Sequence, residues 1–448
     1  MTKLFGTDGV RGRAGQYPLD VLTIRRLGAA LARALQPGSG ETRFLSGRDT
    51  RESGDWIERE LAFGIRSQNG SMTGAGVIPT PAIAYLTPRE AFTAGVVISA
   101  SHNPFEDNGI KVFSGAGEKF TEALEAQVEL IIADTSWETP SGDAGPVEQI
   151  DYRAQYTTHL RAILPGESQP ADRRLMIDCA NGATTTIAMQ LFRDLGFDVR
   201  CIGCEPDGRN INLHCGSTAP QHLAQEVVDG GYPLGIAFDG DGDRAIFVDE
   251  TGKIVDGDAV MLMCAKQMLR EGRLKGRAVV ATVMSNIGLE IALRDAGIEM
   301  IRTPVGDKYV MEEMLRRDLS LGGEQSGHVI FADYLFTGDG LATSLNVLRT
   351  MGATGRSLSD LASDLTTYPQ VLLNVRVERK VDLKTVPEVA EIVADVESRL
   401  AGSGRLLIRY SGTEPLLRIM IEGRDQSEIS AWAEEIANSV RQHMVAAV

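Results

Sequence analysis

Apolar and polar residues follow the same order of elements at three places in the chain. Residues 173–203 contain a β-rich apolar run, a polar loop with Asn and Gly, a helical stretch ending in Arg-Asp-x-Gly, and a second β-rich run. Residues 277–307 repeat that order closely, and residues 43–81 repeat it more loosely. A glycine follows each helical stretch, as expected, because glycine readily adopts the left-handed backbone conformation that ends a helix. Strands separated by one helix predict βαβ units and therefore parallel or mixed sheets.

A single apolar stripe marks the first helix. Its apolar residues stand at positions i, i+3, i+7 and i+11, namely Ile24, Leu27, Leu31 and Leu35. Because this spacing puts them on one face of a helix, it predicts a helix that packs on a sheet.

The three repeats are spaced by about a hundred residues, which predicts three related α/β domains. An acidic stretch with Pro and Gly, residues 134–149, is typical of a linker. Beyond residue 367 the pattern changes to strand, helix, two strands and a final helix. We therefore expect three α/β domains with mixed sheets and a smaller C-terminal α+β domain, arranged around a central cleft. The predicted boundaries are 1–148, 149–252, 253–367 and 368–448.

Charge and composition narrow the range of partners. The 448 residues are 43% hydrophobic and 24% charged, which is ordinary for a globular protein. The net charge of −16 argues against nucleic acid or an anionic membrane as the main partner, but a local basic pocket could still bind a small anion. The start MTKLFGTDGVRG has no apolar leader, and no apolar run reaches about 18 residues, so we expect a cytoplasmic protein.

The five cysteines are few and odd in number, which argues for reduced thiols and against a disulfide framework. Cys201 and Cys204 form a Cys-x-x-Cys pair, and His214 and Cys215 follow. These residue types could bind zinc. However, His214 and Cys215 are adjacent, which makes joint tetrahedral ligation awkward, so zinc is the weaker interpretation.

The motif DGDGD follows an apolar β run and supplies three alternating carboxylates, Asp239, Asp241 and Asp243. Carboxylates this close repel one another unless a cation neutralises them, so the motif indicates a hard divalent ion. A plain acidic turn is one alternative. An EF-hand calcium loop is another, since Glu250 stands at its position 12. Arg244 occupies the position that needs Gly, and the flanks are β-rich, which disfavours that interpretation.

A second motif, SASHNP, follows another run of small apolar β residues. Ser101 is a candidate nucleophile with His102 beside it, although adjacent side chains usually point apart. Lys111 follows and could stabilise phosphate charge or act as an acid or base. Ser99 is a second hydroxyl nearby, which we rank below Ser101. A solvated loop is the alternative for this stretch alone.

Two further loops suggest binding functions. In the glycine-framed loop GGEQSGH, Glu324 and Ser326 suit a hydroxyl-rich ligand, because each hydroxyl needs a directed partner. In RYSGTEP, a Ser-Gly-Thr turn between two strands lies near Arg409 and Arg418, which is typical of a phosphate cradle. A capped turn and a hairpin with surface arginines are the respective alternatives. Together the four motifs indicate phosphoryl transfer on a phosphosugar.

These motifs resemble those of the α-D-phosphohexomutase superfamily, in order and over essentially the whole chain. SASHNP looks like its phosphoserine signature, DGDGD its magnesium loop, GEQSGH its sugar loop and RYSGTEP its phosphate loop. The opening KLFGTDGVRG and the glutamine of GEQSGH resemble the branch that acts on glucosamine phosphates. The phosphomannomutase/phosphoglucomutase branch is the alternative, and a phosphosugar phosphatase is less favoured.

The resemblance implies a reaction and a set of roles. A phosphoserine at Ser101 would interconvert glucosamine 6-phosphate and glucosamine 1-phosphate through glucosamine 1,6-bisphosphate, which would also activate the enzyme, in UDP-N-acetylglucosamine biosynthesis. One Mg²⁺ per chain would be held by Asp239, Asp241, Asp243 and a phosphoserine oxygen. The candidates for charge stabilisation or proton transfer are Arg11, His102, Lys111, Arg244 and His328. The implied substrate-binding residues are Glu324, Ser326, His328, Arg409, Ser411, Gly412, Thr413 and Arg418. A homodimer stays open.

Overall fold

The computed structural model describes residues 4–444 apart from residues 7, 37–39, 379 and 412–414. By compactness the chain divides into two units. The first contains residues 1–284 and 296–364, and the second contains residues 285–295 and 365–448. In the described part, no helix combines the length and the apolar character that crossing a membrane requires.

The first sheet of the larger unit has six strands in the order β1-β5-β4-β2-β3-β6. β2 pairs in parallel with β3 and β4, whereas β5 runs antiparallel to β1 and β4, so the sheet is mixed. Its strands and helices are β1 (Val10–Arg13), α1 (Val21–Ala34), β2 (Thr42–Arg48), α2 (Gly54–Arg66), β3 (Gly70–Val77), α3 (Thr80–Arg89), β4 (Ala94–Ile98), β5 (Asp107–Ser114), α4 (Glu122–Ala133) and β6 (Glu148–Gln149).

The second sheet has five strands in the order β11-β10-β9-β7-β8, and it is also mixed. β7 pairs in parallel with β8 and β9, while β10 runs antiparallel to β9. Its elements are α5 (Arg153–Arg161), β7 (Arg174–Asp178), α6 (Ala188–Asp194), β8 (Asp198–Ile202), α7 (Gln221–Gly230), β9 (Leu234–Phe238), β10 (Ala245–Asp249) and β11 (Ile254–Val255).

The third sheet has four strands in the order β13-β12-β14-β15. The strand β12 pairs in parallel with β13 and β14, and β15 is antiparallel to β14. Helix α9 follows β12 in the chain but groups with the second compact unit. The elements of this segment are α8 (Gly257–Arg270), β12 (Ala278–Thr282), α9 (Ile287–Asp295), β13 (Glu299–Thr303), α10 (Asp307–Arg317), β14 (Leu321–Gly323), β15 (Val329–Phe331), α11 (Gly340–Thr354) and α12 (Leu358–Ala362).

The smaller unit has an all-antiparallel sheet in the order β16-β18-β17, whose apolar core includes Val375, Ile419, Ile421 and Ile436. A buried carboxylate, Glu422, accepts the backbone N–H of Ile287 at 3.1 Å, which ties α9 to this unit. The remaining elements of this unit are β16 (Gln370–Arg376), α13 (Pro387–Leu400), β17 (Arg405–Tyr410), β18 (Leu416–Glu422) and α14 (Gln426–Met444).

The predicted fold class is confirmed. Each of the three repeats forms two parallel strands joined by a helix: β2-α2-β3, β7-α6-β8 and β12-α9-β13. Gly196 and Gly297 end their helices with φ of +87° and +70°, and Asn69 takes that place in the first repeat with φ of 57°. The first helix buries Ile24, Leu27 and Leu31 as its stripe predicts. The four domain boundaries stay a prediction.

One prediction about the cysteines is wrong. Cys201 and Cys204 are joined by a disulfide, where the sequence favoured reduced thiols. The physical reason is local: Gly203 turns the chain at φ of +58°, which brings the two side chains together. The other three cysteines are free and buried: Cys179, Cys215 and Cys264.

Candidate active site

Ser101 lies between β4 and β5 in residues 99–107, here called the serine loop, with its backbone in the left-handed region at φ of 54°. Its side chain is buried. The Oγ donates to Asp239 Oδ2 at 2.6 Å, and the backbone N–H donates to Ser99 Oγ at 2.9 Å. A non-glycine residue in the left-handed region is uncommon, so the surrounding contacts fix this hydroxyl toward the carboxylates.

Two side chains from outside the serine loop hold its backbone. Asn212 Nδ2 donates to the carbonyls of Ser101 at 2.9 Å and Asn103 at 3.0 Å. Arg51 is fully buried and forms an ion pair with Asp49 at 2.8 Å. Burial raises the pKa of Asp49, but Arg51 and Ser99 favour its charged form. The Arg51 guanidinium donates to four carbonyls of the loop, those of Ser101, Asn103, Pro104 and Asp107.

The three carboxylates of DGDGD lie in residues 239–244 between β9 and β10, here called the acidic loop. Asp239, Asp241 and Asp243 are buried, and they can each present an oxygen within 4.8 Å of the other two. Burial, followed by repulsion from the other two carboxylates, raises the pKa of Asp239 well above its ordinary value. Among the described residues, Asp241 Oδ1 and Asp243 Oδ1 have no hydrogen-bond partner.

This donor set fits a hard divalent ion. Its atoms are carboxylate oxygens, which Mg²⁺ and Ca²⁺ prefer, and two of them are buried without a donor. The flanking elements are strands, whereas an EF-hand requires helices. The acidic cluster is therefore able to bind a metal ion.

Lys111 supplies positive charge to the acidic loop. Its Nζ lies 2.8 Å from Asp241, 3.1 Å from Asp8 and 3.3 Å from Asp243. Burial opposes the charge, but these three carboxylates raise the pKa of Lys111 well above its ordinary value, so it stays charged. Although burial also opposes ionisation of Asp243, Lys111 and then His328 hold its pKa well below the ordinary range.

Arg244 and Arg11 place two more cations near His102. Arg244 Nη1 lies 3.4 Å from His102 Nδ1, and Arg11 Nη1 lies 3.5 Å from the Asn103 side-chain oxygen. Burial, then Arg244 and Arg11, lower the pKa of His102. The imidazole is therefore neutral at neutral pH, and its Nδ1 lies 3.3 Å from Ser101 Oγ.

His328 stands behind the acidic loop. Its ring is buried, and Nε2 accepts the backbone N–H of Gly338 at 3.0 Å. Its Nδ1 lies 3.7 Å from Asp243 Oδ1, and although burial opposes the charge, Asp243 and then Asp307 raise the pKa of His328. This geometry makes His328 a support for Asp243. Its predicted contact with substrate stays a prediction.

The loop between β14 and β15 carries Glu324 and Ser326. Glu324 Oε1 accepts the N–H of Gly306 at 3.2 Å, and Ser326 is exposed. Gln325, on which the choice of sugar branch rested, directs its Nε2 to Asp256 at 3.1 Å. Of these three residues, Glu324 lines the cavity that also contains Asp8, Arg11 and His102.

A cavity of about 490 Å³ is lined by Arg11 of β1 and by loops that flank strands of all three sheets of the larger unit. Its polar wall contains cations and carboxylates side by side, as a phosphorylated and hydroxyl-rich ligand requires. The lining residues that bear charge or a titratable group are Asp8, Arg11, His102, Asp243, Arg244, Asp307 and Glu324.

The sequence did not reveal two carboxylates that line this cavity, Asp8 and Asp307, or the lysine that pairs with both of them. Lys119 Nζ lies 2.8 Å from Asp8 and also contacts Asp307. Lys111 and Lys119 hold the pKa of Asp8 well below its ordinary value, although burial opposes this. Asp8 stands inside the quoted opening motif, which was the available signal. Nothing local in the sequence pairs Lys119 with Asp307.

The predicted phosphate loop belongs to the smaller unit. Arg409 on β17 and Arg418 on β18 are paired directly across the two strands. Directly opposed residues of an antiparallel pair share a face, so both arginine side chains leave the sheet on the same face. Ser411 donates its N–H to Leu416 at 2.8 Å. Gly412 and Thr413 lie outside the described residues.

Comparisons with known proteins match this arrangement. Models of the four phosphoglucomutase/phosphomannomutase domains match in order: the α/β/α domains I, II and III at residues 2–139, 154–252 and 256–368, and the C-terminal domain at 372–439. A phosphoglucosamine mutase of Geobacter sp. (strain M21) is 47% identical over 448 residues and covers 99% of each chain.

Solved structures show the same fold. A phosphoglucomutase/phosphomannomutase family protein from Burkholderia thailandensis has a TM-score of 0.82 at 23% identity, covering 99% of this chain and 98% of its own. An Aspergillus fumigatus N-acetylphosphoglucosamine mutase in complex with GlcNAc-6P and magnesium has a TM-score of 0.67 at 18% identity, covering 99% and 96%.

The fold and the matched domains define a phosphohexomutase, an enzyme of the isomerase class that moves a phosphoryl group on a sugar. The chain belongs to the phosphoglucomutase/phosphomannomutase family, and its full-length relatives at about 47% identity are named phosphoglucosamine mutase.

Proposed function

We propose that this chain interconverts glucosamine 6-phosphate and glucosamine 1-phosphate through a phosphoserine at Ser101, and so supplies UDP-N-acetylglucosamine biosynthesis. The observation that carries the proposal is the 2.6 Å hydrogen bond from Ser101 Oγ to Asp239 inside a cluster of three carboxylates. It joins a hydroxyl that can carry a phosphoryl group to an acidic cluster that can hold a cation. The names of the full-length relatives support the choice of sugar.

Two transfers make up the cycle. In the first, the Oγ–P bond of phosphoserine 101 breaks as the sugar 1-hydroxyl bonds to phosphorus, which yields glucosamine 1,6-bisphosphate. The bisphosphate then turns over. In the second, the bond from phosphorus to the sugar O6 breaks, and the phosphoryl group returns to Ser101. Added bisphosphate therefore activates enzyme that has lost its phosphoryl group.

One Mg²⁺ fits the acidic loop in this proposal, with Asp239, Asp241, Asp243 and a phosphoserine oxygen as its ligands. When bound, it would neutralise charge on the oxygens of the group in transfer. Lys111 and Arg244 add fixed positive charge at the same place. The Aspergillus relative was crystallised with magnesium, and it supports the choice of ion.

Proton transfer is assigned among the residues that surround Ser101. His102 is the group we favour, because its neutral Nδ1 lies 3.3 Å from Ser101 Oγ and can accept a proton. The cations Arg11, Lys111 and Arg244 would stabilise the transferring phosphate.

Substrate contacts complete the proposal. Glu324 and Ser326 would bind the sugar hydroxyls. His328 would contribute to substrate binding by supporting Asp243 of the acidic loop. The phosphate that is not reacting would be bound by Arg409, Ser411, Gly412, Thr413 and Arg418.

A homodimer is also proposed, on the evidence of an exposed apolar face in the first domain. Tyr17, Leu22 and Leu130 are 67%, 65% and 70% exposed, and they line a groove of about 750 Å³. A second copy of this chain would cover that surface. Sedimentation equilibrium should give twice the chain mass for the wild type and the chain mass for Leu130→Glu. A wild-type monomer would reject the dimer.

The cytoplasmic location stays a prediction.

The covalent step is tested by labelling with a radioactive 1,6-bisphosphate. Ser101→Ala should take up no label and show no turnover, whereas the matched variant Ser99→Ala, two residues away, should still take up label. Sustained turnover by Ser101→Ala would reject the phosphoserine. Rapid release of inorganic phosphate from labelled wild type would favour a phosphatase.

The sugar is tested by kcat/KM on the 6-phosphates of glucosamine, glucose and mannose. We expect the amino sugar to be preferred. A preference for glucose or mannose would move the chain to the phosphomannomutase/phosphoglucomutase branch while leaving the phosphoserine chemistry in place.

A further inference from the structure

Three cysteine sulfurs converge at the carboxyl ends of two neighbouring strands. Cys179 directly follows β7, and Cys201 and Cys204 stand at the end of β8 and just beyond it. β7 and β8 are parallel neighbours, and the Cys179 N–H donates to the Ile202 carbonyl at 3.2 Å. The three Sγ atoms lie within 4.8 Å of one another, with Cys179 and Cys201 Sγ at 3.8 Å. We call these residues the thiol cluster.

Backbone contacts outside the disulfide build the turn that carries Cys204. The carbonyl of Gly203 accepts the Asn181 N–H at 2.6 Å. A Cβ at Gly203 would lie 2.4 Å from an Asp178 carboxylate oxygen, so only glycine fits. Sheet pairing and this turn therefore hold the backbone of the three cysteines in place whether or not Cys201 and Cys204 are bonded to each other. A Cys-x-x-Cys turn is also the usual two-ligand half of a thiolate zinc site.

We propose that the thiol cluster, with Cys201 and Cys204 reduced, binds one Zn²⁺ through the sulfurs of Cys179, Cys201 and Cys204. The disulfide is then the metal-free form of the same site. A dithiol reductant transfers two electrons and two protons to the disulfide and leaves as a disulfide itself. Zn²⁺ binding then forms three Zn–S bonds, and the three thiol protons go to solvent.

The donor chemistry separates this site from the acidic loop. Three thiolates suit a borderline-soft ion such as Zn²⁺, whereas the carboxylates of the acidic loop suit Mg²⁺. Asp178 is nearby but is already engaged, because its two oxygens accept the N–H groups of Ala180 at 2.8 Å and Gly216 at 2.7 Å. Cys201 and Cys204 are only half-buried, which leaves the fourth position of a tetrahedral ion to water.

The third sulfur is what the sequence did not reveal. His214 and Cys215 were the partners that spacing suggested for the Cys-x-x-Cys pair, and their adjacency argued against zinc. Cys179 comes from the preceding strand, 22 residues from Cys201, and it supplies the missing ligand through strand pairing.

The thiol cluster also lies close to the serine loop. Asn212 donates its N–H to the Ala180 carbonyl at 2.9 Å and its Nδ2 to the Ser101 carbonyl at 2.9 Å. The backbone N–H of Asn181, the residue after Ala180, donates a hydrogen bond to the Gly203 carbonyl in the turn that carries Cys204. Zinc in the cluster should therefore stiffen the segment that supports Ser101. This consequence rests on the proposed function, whereas the binding itself does not.

The experiment uses the full chain, reduced with a phosphine because thiol reductants themselves bind zinc. Cd²⁺ serves as a probe, since its charge-transfer absorption appears only with thiolate ligands, and Zn²⁺ is then counted by equilibrium dialysis and elemental analysis. We expect one thiolate-bound ion per chain in the reduced wild type and none in the oxidised protein. Asp241→Asn should keep the absorption, which separates this site from the acidic loop.

Variants decide which sulfurs bind. Cys204→Ser and Cys179→Ser should lose the absorption, and Cys264→Ser, a buried thiol on α8 outside the cluster, should keep it. If Cys179→Ser fails to fold, Cys204→Ser decides alone, because Cys204 is half-buried in a turn. Absence of the thiolate absorption in reduced wild type, or its persistence in Cys204→Ser, would overturn the proposal. Either result is independent of the mutase assay.

Discussion

The serine loop and the acidic loop meet where Ser101 donates to Asp239 and where Arg244 lies against His102, yet the two loops are held in different ways. Hydrogen bonds from Arg51 and Asn212 to backbone carbonyls hold the serine loop. Charge holds the acidic loop, whose buried carboxylates face Lys111. The position of the hydroxyl is therefore set by hydrogen bonds to the backbone, whereas the acidic loop depends on the positive charge of Lys111.

This difference separates two ways in which the site can fail. A change in the acidic loop alters charge and leaves the backbone in place, so it should act on turnover. A change beneath the serine loop removes support from the backbone, so it should act on stability and turnover together. Variants of Asp241 and Arg51 test that separation directly, and variants of Lys119 and Asp339 test charges that lie outside both loops.

The largest effect is expected from Asp241→Asn. The amide can still accept from Thr80, whose Oγ1 bonds Asp241 Oδ2 at 2.7 Å, so the fold should survive. Loss of one carboxylate should lower kcat by about 10³-fold, since electrostatic stabilisation supplies most of phosphoryl-transfer catalysis. Assays with excess Mg²⁺ and thermal melting measure the two outcomes. The exposed Asp229→Asn is the control, and full activity of Asp241→Asn after chelation would contradict the metal assignment.

Arg51→Met tests the serine loop. It removes the donor to four carbonyls and leaves Asp49 buried without its ion pair. Breaking a buried pair in this way should lower the free energy of unfolding by about 3–5 kcal/mol. A displacement of the hydroxyl by about 1 Å should also lower kcat by about 100-fold. Urea titration and steady-state kinetics measure these effects.

The matched control for Arg51 is Arg209→Met, an arginine whose side chain is 66% exposed and pairs with Glu52. Arg209→Met should change neither the free energy of unfolding nor kcat. If Arg51→Met lost stability and kept full kcat, the hydroxyl would be positioned by Asn212 and Ser99 without Arg51.

Lys119→Met tests the ionic bridge at the cavity wall, outside both loops. The variant leaves Asp307 without its lysine, whereas Asp8 keeps Lys111 at 3.1 Å. The two carboxylate side chains are 23% (Asp8) and 14% (Asp307) exposed, so part of their repulsion is screened. We expect a loss of about 3 kcal/mol, at the lower end for a broken buried pair. The loss should shrink in acid, because the two carboxyls can then take up protons. Lys275→Met, in an exposed pair with Asp318, is the control. A loss that did not change with pH would contradict the ionic role.

The sequence predicted what depends on local pattern. The periodicity of apolar residues predicted all three βαβ repeats, and the sequence motifs identified Ser101, Asp239, Asp241 and Asp243 as candidate site residues. It did not reveal Arg51, because an arginine that donates to a carbonyl 50 residues away looks like any surface arginine. Lys119 was missed for the same reason, since its partner Asp307 lies 188 residues along the chain. Tertiary contacts at such separations leave no periodic signal.

The smallest effect concerns Asp339, a buried carboxylate beside the acidic loop that faces no cation among the described residues. It caps α11 through the Ala342 N–H at 2.9 Å and accepts the Tyr156 hydroxyl at 2.7 Å. Burial raises its pKa from 3.8 to about 6. A raised pKa means that the folded state binds the proton of Asp339 more tightly than the unfolded state does. The contribution of this proton to the free energy of unfolding is therefore complete below about pH 4 and is lost as the pH rises through 6.

Asp339→Asn removes that titration and keeps an oxygen for the cap, so the variant should gain stability relative to the wild type as the pH rises. The change in pKa corresponds to at most about 3 kcal/mol between pH 4 and 7. Urea titrations across that range measure the difference in unfolding free energy. Asp256→Asn, which replaces the cap of α8 at Ala259, is the matched control and should give a smaller slope. Parallel stability profiles for wild type and Asp339→Asn would show that Asp339 titrates as it does in the unfolded chain. Burial alone would then not raise the pKa of a carboxylate at this place in the fold. The raised pKa of Asp239 would have to come from repulsion by Asp241 and Asp243.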